Sequence, residues 1–163
     1  MRAPILNLFG DTEYAVAPLP LQRIAQAYPL VHSMNRGVTL EAWVEYASSL
    51  VLGEGSEAGS GILAAEQRTG FIAGLVAYRA CADLAHGRTL RVEHFIVLSI
   101  FDRARIARCL AVKLDNLARA LDCGALQTEV PVDEGEGAGT PLFGSDYLLE
   151  SRVLRKAIAT LPT

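Results

Sequence analysis

The change of period at residue 103 constrains this chain most. Ile106, Leu110, Leu114, Leu117 and Leu121 recur at spacings of 4, 4, 3 and 4, the apolar face of an amphipathic helix. Cys123-Gly124 closes it, with glycine at the expected C-terminal position. Segments of strand composition flank it, Leu90 to Ile100 before and Ala125 to Val132 after. A helix inserted between two strands lets them run parallel in a right-handed crossover, which a short loop cannot do.

The connections upstream are of the other kind. Ile62 to Gln67, Phe71 to Ala80 and Leu90 to Ile100 read as strands, joined across Arg68-Thr69-Gly70 and around His86-Gly87-Arg88. Short glycine-bearing links favour antiparallel hairpins, and two in succession make a meander. Earlier still, Glu13 to Pro18 reads as a strand, and Pro18-Leu19-Pro20 starts a helix through Leu21, Ile24, Ala25 and Tyr28 that ends at Pro29. A second helix has Thr39 as its N-cap, a stripe of Leu40, Trp43, Val44, Ala47, Leu50 and Val51, and a stop at Gly53, inside a loop that runs to Gly61. Residues 133 to 146 read as loop, and Tyr147 to Leu161 as a closing helix with Leu148, Val153 or Leu154, Ala157, Ile158 and Leu161 available for burial. The expected fold class is α/β in the α+β sense, a mainly antiparallel mixed sheet with one parallel crossover, in a single domain over residues 1 to 163.

Composition narrows the partners. With 163 residues, 51% of them apolar, the chain can build a core without a disulfide or metal staple. A net charge of −3 lacks the field that drives phosphate-backbone binding, so nucleic acid is not an expected partner. There is no 18-residue apolar run and the opening Met1 to Gly10 is too broken for a secretory core, so no membrane is expected and the cytoplasm is the expected compartment. Cys81, Cys109 and Cys123 form no C-x-x-C pair and read as reduced, half-buried thiols. His32 and His86 read as surface residues and Trp43 as core. No metal-ligand spacing, Walker loop, H-E-x-x-H or G-x-S-x-G is present. Basic charge is nevertheless concentrated locally, at Arg103, Arg105 and Arg108 at the start of the amphipathic helix.

That start carries the most specific pattern. Val97-Leu98-Ser99-Ile100-Phe101-Asp102-Arg103-Ala104-Arg105-Ile106-Ala107, together with the order of elements over residues 13 to 132, resembles the GNAT superfamily of acyl-CoA-dependent N-acyltransferases. In that family a valine closing strand four is followed five residues later by Q/R-x-x-G-x-G/A and an apolar helix. Ala107 keeps the last signature position, whereas Asp102 and Arg105 depart from the other two. The resemblance implies acetyl-CoA as acyl donor. Its pantetheine arm would pair with the backbone of Phe95, Ile96 and Val97, and its pyrophosphate would lie on the loop Asp102, Arg103, Ala104, Arg105, Ile106 and Ala107. Glycine in such a loop allows close approach of phosphate to backbone N–H groups at a helix start. Arg105 and Asp102 work against that mode, while the planar fork of arginine offers phosphate a side-chain contact instead.

The resemblance also implies the chemistry. Acyl transfer to an amine needs a proton acceptor, and a donor for the leaving thiolate. Glu129 in Gln127-Thr128-Glu129-Val130 is the first candidate base and Glu93 the second; on a regular strand His94 faces away from Glu93. Tyr147 is the candidate acid for the thiolate. The family's final hairpin has no counterpart, since the chain ends 16 residues after Tyr147, so that wall of the acceptor site is either absent or supplied by a second subunit of a homodimer. Two readings follow: an N-acetyltransferase acting on an amine of a small molecule or protein, or a catalytically inactive binding or assembly module of the same fold with weak coenzyme A binding or none. An unrelated α+β domain is a third. Strands four and five paired in parallel and splayed at their far ends would remove it.

Overall fold

A computed structural model describes residues 14–53, 59–129, 147–148, 150 and 153–157. The elements run β1 (Tyr14–Pro18), a 3-10 helix (Leu21–Ala27), α1 (Tyr28–Met34), α2 (Leu40–Leu52), β2 (Ser60–Gln67), β3 (Ile72–Asp83), β4 (Gly87–Val97), α3 (Arg103–Ala120) and β5 (Ala125–Thr128). The strands form one sheet in the order β1-β2-β3-β4-β5. Neighbours are antiparallel as far as β4, and β4 and β5 are parallel, joined through α3. Short glycine turns thus gave hairpins and the long amphipathic helix gave the crossover, as the periods require.

The sheet separates two cores. On one face Ile62, Ala64, Leu75, Ala77 and Ile96 pack under α1 and α2, against Trp43, Ala47 and Leu50. On the other, Leu63, Val76, Leu90 and Val92 pack against Ile106, Leu110 and Leu114 of α3. Burying each such leucine, isoleucine or valine stabilises the fold by about 1.5–3 kcal/mol. Gly74 sets the spacing of α3: a Cβ there would lie 2.8 Å from Ile106 Cγ2 and 3.2 Å from the Ile96 carbonyl oxygen. The helix start therefore lies flat against β3. Trp43 is core, with its indole N–H donated to the Ile24 carbonyl at 2.8 Å. The Thr39 side chain caps α2 by accepting from Ala42 N, and Gly53 ends it at φ 66°. The three cysteines are half-buried and form no disulfide among the described residues.

Several boundaries differ from expectation for local physical reasons. Pro29 begins α1 rather than ending a helix, because proline lacks an N–H that the first turn does not need, and the preceding Leu21–Ala27 winds as a 3-10 helix. At the end of α3 the left-handed residue is Asp122, at φ 56°, not glycine. Gly124 serves close approach instead, since a Cβ would stand 3.2 Å from the His86 carbonyl oxygen. The strand expected to run to Val132 ends at Thr128, and residues 130–132 lie outside the described part. The expected closing helix is not formed at Tyr147, Leu148, Glu150 or residues 153–157. Leu148, Val153 and Leu154, meant for its buried face, are 90%, 63% and 96% exposed. Without an apolar partner such a face contributes nothing to helix stability. Ile158 and Leu161 lie outside the described residues. No helix among the described residues is long and apolar enough to cross a membrane.

Candidate functional site

β4 carries an irregularity that decides which side chains meet. It pairs with β3 through Ala77 and His94, then through Tyr78 and Val92, so Glu93 is an extra residue in a β-bulge. Before the bulge Leu90 and Val92 face α3; after it Phe95 and Val97 pack on that side, while Ile96 joins the core under α1 and α2. Regular alternation would set Glu93 and His94 on opposite faces. The bulge instead turns both towards α2. There the Tyr46 hydroxyl donates to Glu93 Oε2 at 2.6 Å, and the Tyr46 ring meets His94 edge-on with centroids 5.4 Å apart. Arg79 Nε donates to the other oxygen, Oε1, at 3.1 Å. Burial, reinforced by the hydrogen bond and charge of Glu93, pushes the Tyr46 phenol far above its ordinary range, so it stays a neutral donor. A cleft of about 480 Å³ opens beside this cluster, between α1, α2 and β4, lined by Val31, Met34, Val38, Trp43, Tyr46 and His94 among others.

The parallel pair separates at the same point. Its register runs from Thr89 opposite Ala125 to Val92 opposite Thr128 and goes no farther. Among the described residues, the β4 edge over Glu93 to Val97, which includes Phe95 and Ile96, has no strand beside it on that flank. Glu129 follows Thr128 and is exposed, so Glu129 and Glu93 both stand where the strands part. An extended ligand that pairs with a strand edge would lie along this stretch, where β5 no longer runs beside β4.

Beyond Val97 the chain turns into α3. Leu98 N donates to the Ala73 carbonyl at 2.9 Å and Asp102 N to Ser99 Oγ at 3.0 Å, which fixes the turn. The first helical bond runs from Ile106 N to the Asp102 carbonyl at 3.0 Å, yet the Asp102 side chain does not cap the helix. Its carboxylate is taken by β1, where the Tyr14 hydroxyl donates to Oδ2 at 2.9 Å. No acidic residue lies in the first turn. Arg103, Ala104, Arg105 and Arg108 are exposed, while Ile106 and Ala107 are buried. The positive end of the helix dipole therefore coincides with a patch of arginines, beside the end of β4 from which β5 has parted.

No protein-family model and no curated protein sequence matches the chain. Solved structures match along most of its length. A GNAT family acetyltransferase of Staphylococcus aureus superposes with a TM-score of 0.67 at 12% identity, covering 90% of this chain and 99% of that one. The GNAT fold is the fold of this chain. A ribosomal-protein-alanine N-acetyltransferase from Brucella melitensis gives 0.63 at 22% identity, with 87% and 98% covered. Aminoglycoside N-acetyltransferase AAC(6')-Iy in complex with CoA gives 0.69 at 12% identity, with 88% and 94% covered.

Within this GNAT fold the residues singled out in the sequence fall into separate groups. Phe95 to Val97 and Asp102 to Ala107 adjoin one another at the end of β4 and the start of α3. Glu93 and Glu129 stand at the parting of β4 and β5. Tyr147 is apart from them. It is half-buried near Asp115 of α3, the helix on the opposite face of the sheet from Tyr46 and Glu93, and burial with the Asp115 charge pushes its phenol up to about 12. Two members of the Glu93 cluster, Tyr46 and Arg79, were not legible as functional residues. Tyr46 shows in the sequence only as a helical residue three places after Trp43, and nothing local marks the bulge that brings Glu93 to it.

Proposed function

We propose that this chain is an acetyl-CoA-dependent N-acetyltransferase that acylates an amine held in the cleft between α1, α2 and β4. The observation that supports this best is the adjacency of two features at the end of β4: a strand edge left open where β5 parts from it, and an uncapped, arginine-rich start of α3. An extended amide-bearing arm suits the first and a pyrophosphate the second. The donor set fits that group. The arginines offer charge-assisted bonds, and the Asp102 carboxylate is engaged by Tyr14. In this reading the Phe95–Val97 backbone holds the pantetheine arm, and Arg103 to Ala107 hold the pyrophosphate, with Arg105 contributing a side-chain fork where glycine would expose backbone.

When bound, acetyl-CoA supplies the acetyl group as a thioester. The chain supplies orientation and proton transfer. Glu93, held between Tyr46 and Arg79 behind the cleft wall, attracts the acceptor ammonium and takes its proton through water, so that the neutral nitrogen can attack. Glu129 is the second carboxylate in reach of the parting strands, without the fixed partners that orient Glu93. Protonation of the departing thiolate falls to solvent, since Tyr147 stands near Asp115, apart from Glu93 and Glu129. A second reading, a coenzyme-binding or assembly module without catalysis, is favoured by one observation: Asp102 and Arg105 occupy loop positions where the family's pattern has other residues.

Thermal unfolding with and without acetyl-CoA tests the proposal. At 100 times the dissociation constant, binding adds about 2.7 kcal/mol of stability, a clear rise in Tm. No rise at millimolar acetyl-CoA would contradict it.

A further inference from the structure

We infer that the cleft selects a compact amine with an apolar or aromatic body and a single cationic group. The inference deepens the function just proposed and rests on it for the reaction, while the cleft itself argues for the class of ligand. Its volume, about 480 Å³, is that of a small-molecule site. Val31, Met34, Val38, Trp43 and Ile96 form most of the wall, and no carboxylate, lysine or arginine lines it among the described residues. A ligand carrying several ammonium groups would leave most of them desolvated and unpaired there, and a phosphorylated one would find no lysine or arginine among the described lining residues.

One charge can be met. Glu93 lies behind Tyr46 and next to His94, both of which line the cleft, and its partner Arg79 balances all but a local field. A single ammonium is received at the β4 end of the cleft by the Tyr46 hydroxyl oxygen, with the Glu93 charge behind it, and the apolar body lies towards α1. The wall has both rigid and adaptable parts. The Trp43 ring is fixed by its bond to the Ile24 carbonyl, the Tyr46 ring is set edge-on to His94, and Met34, 56% exposed at the mouth, can adjust to the body that enters. This differs from what the amino-sugar substrate class named for one structural neighbour would need, which is several separate groups to receive several amines.

The test compares 2-phenylethylamine, spermidine and glucosamine 6-phosphate as acceptors, reading release of the coenzyme A thiol. Binding of each amine and of acetyl-CoA is measured separately by titration calorimetry. The expected result is a kcat/KM for 2-phenylethylamine at least about tenfold above the other two. Ala42, exposed on α2 and part of the lining, gives the variant. Ala42→Trp should raise KM and Kd for 2-phenylethylamine about tenfold by filling the cleft, with the Kd of acetyl-CoA unchanged. Preference for spermidine or the sugar phosphate, or an Ala42→Trp variant with unaltered Kd for 2-phenylethylamine, would overturn the inference while leaving the transferase reading in place. Failure of acetyl-CoA to bind would instead defeat the transferase reading, and the calorimetry of 2-phenylethylamine against the wild type and Ala42→Trp would still decide the ligand class.

Discussion

Tyr46 and Glu93 show how much can depend on one inserted residue. The bulge at Glu93 turns a strand position that alternation would place alone into the centre of a cluster with Tyr46, Arg79 and His94. In the proposed reaction Tyr46 acts through Glu93 as a positioning residue. Tyr46→Phe removes a 2.6 Å bond to a charged acceptor but leaves the ring and the Arg79 contact. Hydrogen bonds to charged groups contribute about 1.5–3 kcal/mol, so kcat should fall about tenfold or more with KM for acetyl-CoA unaltered. Steady-state kinetics check this, and an unchanged kcat would remove Tyr46 from the machinery. The candidate carboxylates were legible because the family resemblance points to glutamates on or near strands four and five, where Glu93 and Glu129 stand. Their surroundings were not, since a bulge is set by pairing with β3 and leaves no local mark.

Elements were legible where hydrophobic period and turn chemistry agreed. The face Ile106, Leu110, Leu114 of α3 and the cap Thr39 of α2 are both found where periodicity and capping place them. Pro29 and the final segment were misread because the same residue types admit two outcomes. Proline both ends and begins helices, and an apolar face forms a helix only when something buries it. At the start of α3 the sequence showed two substitutions that oppose a glycine loop, and the structure resolves one of them: Asp102 turns to Tyr14, away from capping the helix. In the proposed function the arginines then serve as the phosphate ligands. Replacing Arg105 by glycine together with Asp102→Gln should weaken coenzyme A binding about tenfold by calorimetry, the worth of one charge-assisted bond. The loss should shrink at high salt, which screens exposed charge. Tighter binding by this variant would mark the loop as a decayed glycine loop and favour the non-catalytic reading.

For the whole molecule, the sheet order and the parallel β4–β5 pair follow from connection lengths that are visible in the sequence, whereas the two-sided core and its cleft follow from how the faces were assigned by pairing. Protonation links this packing to pH. Tyr46, Tyr78 and Tyr147 all have phenols raised by burial. A raised phenol favours the neutral form in the folded state. Its stabilising effect is complete below the unfolded value of 10.0 and is lost as pH climbs through the folded value, about 12 for Tyr147. Urea unfolding of Tyr147→Phe should therefore show a shallower loss of stability between these values than the wild type, and an identical slope would place Tyr147 outside any packed environment. Amide chemical-shift mapping by NMR, titrating coenzyme A into the labelled protein, tests most directly whether the coenzyme sits at the junction of β4 and α3. The largest shifts are expected at Phe95 to Val97 and Arg103 to Ala107, with α1 little affected; saturable shifts centred elsewhere, or none at millimolar coenzyme A, would place the coenzyme elsewhere or remove it.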